Sequence, residues 1–198
     1  IESSDDIFIQ SDYVAPLKND AKLEMGVRAD LRAIRSDYEA YQDGTLLDEY
    51  DNKLYYDENI YAAYIQYSSK IKKLSYLAGL RSELSNIRIS DRKHTISKTK
   101  NYINFFPTLH LQYNLQKSLD LQLSYSRRIN RPRFWQLNSF AGLSDTRFLT
   151  VGNPDLDPMY TDAFELGILK KAGKFTINPS VYYQQSTGYF DYVLQQTA

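Results

Sequence analysis

The segment LDLQLSYS, residues Leu119–Ser126, alternates without a break. Leu119, Leu121, Leu123 and Tyr125 fall on one side of an extended chain, and Asp120, Gln122, Ser124 and Ser126 fall on the other. Successive side chains of a strand point to opposite faces, so the pattern reads as a strand with one oily and one wet surface. The preceding TLHLQYN, Thr108–Asn114, repeats it, setting Leu109, Leu111 and Tyr113 against His110, Gln112 and Asn114. FTINPSVYYQ, Phe175–Gln184, sets Phe175, Ile177, Pro179, Val181 and Tyr183 against Thr176, Asn178, Ser180, Tyr182 and Gln184. KLEMGVRADLRA, Lys22–Ala33, sets Leu23, Met25, Val27, Ala29, Leu31 and Ala33 against Glu24, Arg28, Asp30 and Arg32. Further strands are expected near Ile7–Val14, Ile60–Ser68, Leu74–Ile89 and Tyr160–Leu169, which brings the total to eight.

The connections alternate in length. Short links at Pro16–Asp20, Lys70–Lys73, Gln116–Ser118 and Ala172–Gly173 take turns with long stretches at Tyr38–Glu58, Ser90–Asn101 and Arg127–Met159. An up-and-down meander produces this parity, and outer-membrane barrels place short turns at one rim and long loops at the other. Every backbone polar group must be paired while crossing hydrocarbon, which asks for about 9 to 11 residues per tilted strand. The predicted strands meet that length. The chain carries 18 tyrosines and nine phenylalanines. Tyr13, Tyr67, Tyr76 and Tyr113 lie near short turns, and Tyr38, Tyr55, Tyr56, Tyr61, Tyr102, Phe105, Phe106, Trp135 and Tyr160 lie toward long loops. Two aromatic girdles are the expected arrangement.

Composition narrows the function. Lys plus Arg equal Asp plus Glu at 24 each over 198 residues, so no electrostatic footprint points to nucleic acid. Without cysteine there is no disulfide scaffold, thiolate metal site or cysteine nucleophile. His94 and His110 are the only histidines, and both read as structural. No apolar run reaches the roughly 20 residues of a membrane-spanning helix. Neither a nucleophile elbow nor metal-ligand spacing is present, so no enzyme activity, catalytic residue, metal or cofactor is expected.

Two stretches go beyond pattern: LSYSRRINRPRFWQLNSF at Leu123–Phe140 and VGNPDLDPMYTDAFELG at Val151–Gly167. Both resemble later barrel strands of TonB-dependent receptors, in particular the outer-membrane β-barrel family abundant in Bacteroidota. Glu58–Ile71, Leu74–Glu83 and Asn104–Leu115 are similar to the same family, so the resemblance runs from about residue 7 to the end. Arg128, Pro132, Gly152, Asn153, Pro154, Leu156, Pro158, Glu165 and Gly167 carry the motif as structural positions, and Met159 stands where the family commonly has Glu. Asn153-Pro154 and Asp157-Pro158 force extended or turned backbone ahead of the strand at Tyr160.

The resemblance implies a barrel of about 22 strands filled by an N-terminal plug and driven through contact with TonB. This chain, residues 1–198, would be a partial all-β transmembrane barrel domain of about eight antiparallel strands. It shows no recognisable plug or TonB box, and Gln195–Ala198 lacks a terminal aromatic strand. The plug is expected before Ile1 and further strands after Ala198. Partners would be outer-membrane lipid and lipopolysaccharide, the plug, TonB and a nutrient ligand, in the outer membrane of a Gram-negative bacterium. Oily faces would meet lipid and polar faces the lumen. Arg131, Arg133, Phe134, Trp135 and Phe148 are the candidate ligand-binding residues of the outer loop. Arg127, Arg128, Arg131 and Arg133 form a basic run suited either to lipopolysaccharide phosphate or an anionic ligand, or to pairing with loop carboxylates. Rival readings are a small closed eight-stranded barrel and a soluble carbohydrate-binding β-sandwich.

Overall fold

The computed structural model describes the chain except residues 40, 47–51, 94, 139–141, 146–147 and 195–198, and gives the backbone alone at 42, 142–145 and 148–150. His94 therefore lies outside the described residues. The first seven long strands are Glu2–Pro16, Lys22–Tyr38, Asn52–Ile71, Leu74–Asp91, Ser97–Gln116, Leu119–Asn130 and Met159–Ala172. The eighth comes in two pieces, Phe175–Ile177 and Ser180–Thr187. Each strand pairs antiparallel with its sequence neighbour in one sheet, which is the expected meander. Two small hairpins, Tyr41–Gln42 with Thr45–Leu46 and Gly142–Asp145 with Phe148–Thr150, decorate the long connections.

Three of the four short turns are tight because the chain enters the left-handed region there: φ is +61° and +57° at Asn19 and Asp20, +54° at Lys72, and +61° at Gly173. In the eighth strand, Pro179 has no N–H to offer the ladder. The ladder skips Asn178-Pro179, yet the register on either side, Lys170↔Ile177 and Gly167↔Ser180, is continuous. One strand was expected over Phe175–Gln184, and one interrupted strand is found.

The faces follow the predicted alternation next to the short turns. Val27, Ile65, Leu80, Leu123 and Leu166 stand exposed on the outer surface. Across the sheet from them in parity lie Arg28, Gln66, Arg81, Gln122 and Glu165. Among the described residues no second sheet covers the apolar surface, which removes the sandwich reading. The first strand does not pair with the eighth, so the sheet is open and is not a small closed barrel. Tyr13, Tyr67, Tyr76 and Tyr113 form the expected lower girdle on the outer face, with the Tyr67 and Tyr76 rings 6.0 Å apart.

Farther from the short turns the strands run on where loops were expected, and there the oily side changes face. In the third strand Tyr61, Ala63, Ile65 and Tyr67 point outward, but Leu54, Tyr56 and Ile60 point inward and are buried. In the fourth strand, expected as a strand as far as Ile89, the face changes too: Leu80 and Leu84 point outward, whereas Ile87 and Ile89 point inward. Leu54, Tyr56, Ile87 and Ile89 join Ile34, Ile96 and Leu137 in a buried cluster, against which Tyr102, Phe134 and Leu156 pack. This is the pattern expected where a wall leaves lipid for water: polar residues such as Arg88 face out and apolar ones seek cover inside. Tyr56, Tyr102 and Phe106 accordingly belong to this interior and not to an upper girdle; Tyr61 and Phe105 remain exposed on the outer face.

Candidate functional site

The inner cluster is closed by the long excursion after the sixth strand. Pro132 is buried and ends the strand, since its fixed φ and missing N–H cannot continue a ladder. The chain then turns inward into a single helical turn, Phe134–Leu137. Gln136 N donates to Arg133 O at 2.9 Å, and Arg133 N donates to Gln136 Oε1 at 2.8 Å. Residues three apart share a side of the turn, so Phe134 and Leu137 both meet the wall. Phe134 stands edge-on to Tyr56 at 5.8 Å, and Leu137 is 2% exposed.

The GNPDLDP motif locks this turn in place. Gly152 N donates to Asn138 O and Asn153 N to Gln136 O, each at 2.7 Å. A Cβ at Gly152 would lie 2.4 Å from Gln136 O, so only glycine permits the approach. Asn153 Oδ1 accepts from Asp155 N at 2.9 Å, the local turn that asparagine favours. The kink at Pro154 carries Leu156 into the cluster, and Pro158 is buried where the seventh strand begins. Lys98 Nζ meets Asp155 Oδ1 at 2.8 Å. Lys100 Nζ reaches Leu156 O at 2.6 Å and Asp157 Oδ1 at 3.1 Å. The hydrogen bond from Lys98 holds the Asp155 carboxyl below the usual carboxylate range.

Between this cap and the inner wall lies a cleft of about 760 Å³, and Arg131, Arg133, Phe134 and Trp135 all line it. Four of the five predicted ligand residues are thus brought together; the Phe148 side chain lies outside the described residues. Phe134 is spent on packing, while Trp135 is 46% exposed and stacks on Tyr192 at 5.9 Å. The wall of the cleft is a ladder of ion pairs. Arg28 holds Asp30 through two hydrogen bonds at 2.7 and 2.8 Å, and Phe8 lies 4.4 Å under its guanidinium. Arg32 meets Asp6 at 2.5 Å. Glu83 takes Arg81 at 2.7 Å and Arg131 at 2.6 Å, and Arg131 also donates to Ser85 Oγ at 3.0 Å.

The basic run is not one site. Arg127 lies over the Tyr160 ring at 5.3 Å, Arg128 is exposed opposite Thr161, and Arg131 finds a carboxylate of the wall, where the readings weighed were an anionic ligand and a loop carboxylate. The loop carboxylates go to Lys98 and Lys100, neither of which the sequence reading singled out. Glu165 and Gly167 sit far down the wall with His110, Gln122 and Ser124, around a second cavity of about 550 Å³.

Residues 2–198 match a family model described as the outer membrane protein beta-barrel family. No curated protein matches the chain in sequence. Among solved structures it is similar to the copper transporter OprC, with TM-score 0.70 and 16% identity over 92% of this chain and 29% of that one. It is similar also to the closed form of the ferric-catecholate import receptor Fiu from E. coli K12, with TM-score 0.70 and 11% identity over 93% and 32% of the two chains. The unliganded ferric citrate transporter FecA aligns with TM-score 0.63 and 13% identity over 93% and 27%. At these identities the likeness concerns the fold. The chain spans about a third of the length of these proteins or less.

Proposed function

The chain belongs to the outer membrane protein beta-barrel family, and from that premise we propose that it is a wall segment of a TonB-dependent receptor that carries a nutrient ligand inward across the outer membrane. The observation that carries the reading is the two-faced wall. Below the inversion its outer surface is apolar and open, as lipid requires, and its inner surface holds a ladder of paired charges suited to a protein-filled lumen. Its place is the outer membrane of a Gram-negative bacterium. The plug would come from outside residues 1–198 and pack against the inner ladder, and further strands would close the barrel. Lipopolysaccharide would surround the outer rim. The ligand would arrive at the cleft under the cap, where Trp135 offers an exposed aromatic face and Arg133 a guanidinium group, while Arg131 lines the cleft with its guanidinium held by Glu83 and Ser85.

The test uses the full-length protein in a Gram-negative host. Chemical cross-linking in cells should join it to TonB, and the adduct should disappear in a host lacking TonB. A protein that inserts into the outer membrane yet yields no such adduct would contradict the reading.

A further inference from the structure

The wall is not laddered evenly. The fifth strand runs from Ser97 to Gln116, yet its pairing with the sixth begins only at Thr108↔Ser126. Its upper half, including Pro107, pairs with the fourth strand alone, while the sixth strand stays paired with the seventh up to Asn130↔Met159. Above Thr108 the sheet is therefore two panels, the first to fifth strands and the sixth to eighth. Side chains bridge the seam. Tyr160 Oη donates to Asn104 Oδ1 at 2.8 Å, Lys100 holds Leu156 O and Asp157, and Arg131 reaches across to Glu83 and Ser85.

Three of the four buried side-chain atoms without a well-formed hydrogen bond among the described residues lie at the seam. Tyr102 Oη, Asn104 Nδ2 and Arg131 Nε are buried there without a well-formed hydrogen bond among the described residues, the Arg131 guanidinium resting over the Tyr102 ring at 5.9 Å. Polar atoms so poorly paired in one place make the closed seam expensive, because a buried polar group without a well-formed hydrogen bond has lost its water and gained little. Parting the panels would return water to all three. Meanwhile the bridging contacts are side-chain contacts that can break without unravelling a ladder.

We propose that the seam above Thr108 is a latch: the Arg131–Glu83 pair, with Tyr160–Asn104 and Lys100–Asp157, holds the two panels together, and its release parts them and widens the outer mouth. The uptake reading supplies only the purpose of the opening; the hinge itself stands on the ladder and the bridging contacts.

The chain contains no cysteine, so spin labels can be placed within it at will. In the full-length protein in outer-membrane vesicles, Thr99→Cys with Gln185→Cys spans the seam, and Thr99→Cys with Ser3→Cys lies within one panel. All three positions are exposed and lie off the latch. Arg131→Gln should shift the seam distance to longer values and broaden it, leaving the within-panel distance as in the parent. Should Arg131→Gln fail to assemble, Tyr160→Phe, which removes only the hydroxyl on Asn104, is read in the same way. An unchanged seam distance would overturn the proposal, as would equal broadening of both pairs. Distances that shift as expected in a protein that never cross-links to TonB would retain the latch and remove the uptake reading.

Discussion

Leu123 and Gln122 are adjacent in the chain and face different solvents. Leu123 is 43% exposed on the outer surface in line with Leu111 and Leu166, whereas Gln122 shares the inner cavity with Ser124 and Glu165. An arginine at Leu123 must bring its charge into hydrocarbon, which near the bilayer midplane costs about 2–4 kcal/mol. The same change at Gln122 meets a polar interior and should cost well under half of that. Urea unfolding of the full-length barrel in lipid vesicles should separate Leu123→Arg from Gln122→Arg by this margin. Equal destabilisation would mean that the faces have been assigned the wrong way round. These residues could be placed from the sequence alone because each lies where one face sees a single solvent along the whole strand. Trp135 and Phe134 could not be told apart in that way. They are consecutive aromatics in a loop, and only the helical turn decides that Phe134 packs on Tyr56 while Trp135 stays half exposed.

At the scale of the element, the upper strands show why part of the wall was read as loop. The sequence NKLYYDENIY, residues 52–61, does alternate, with Leu54 and Tyr56 opposed to Lys53 and Asp57, but its phase is opposite to that of Tyr61, Ala63 and Ile65. A single period-two template breaks at such a reversal, so the strand was expected to begin at Ile60. The wall carboxylate Glu83 and the lysines Lys98 and Lys100 went unnoticed for a related reason: their partners arrive from residues 131–157, and nothing local announces them.

The same upper region should respond to acid. Burial pushes the Asp91 carboxyl up, but hydrogen bonds from Thr95 Oγ1, from Ile96 N at 2.8 Å and from Asn52 Nδ2 at 3.2 Å outweigh it and hold the group below its ordinary value of 3.8. A carboxyl depressed in the folded state stabilises it at every pH above the unfolded value, and that contribution fades as pH falls through the folded value. Asp155, held down by Lys98, has the same sign. The connection at 92–96 should therefore be indifferent to pH near neutrality and loosen below about 3.8. Hydrogen-exchange protection at the Ile96 amide, corrected for intrinsic rates, should show this acid step, and Asp91→Asn should abolish it. A step that persists in Asp91→Asn would assign it elsewhere.

Seen whole, the molecule is an open, two-faced sheet with a cap on its inner surface. Meander topology, connection parity and the family resemblance were legible because each repeats along the chain. The cap was not, because it depends on contacts between residues as far apart as Tyr56 and Phe134. The central claim is that the apolar side faces lipid through the membrane and turns inward above it. Spin labels placed singly along the third strand, Asn52–Ile71, in the full-length protein in native vesicles would read both halves at once. Labels at Tyr61, Ala63, Ile65 and Tyr67 should be open to lipid-soluble oxygen and shielded from an aqueous nickel chelate, while labels at Leu54 and Tyr56 should be shielded from both and the label at Asp57 should be open to the chelate. Free access of the chelate to Tyr61 and Ile65, or lipid exposure at Leu54 and Tyr56, would contradict the account.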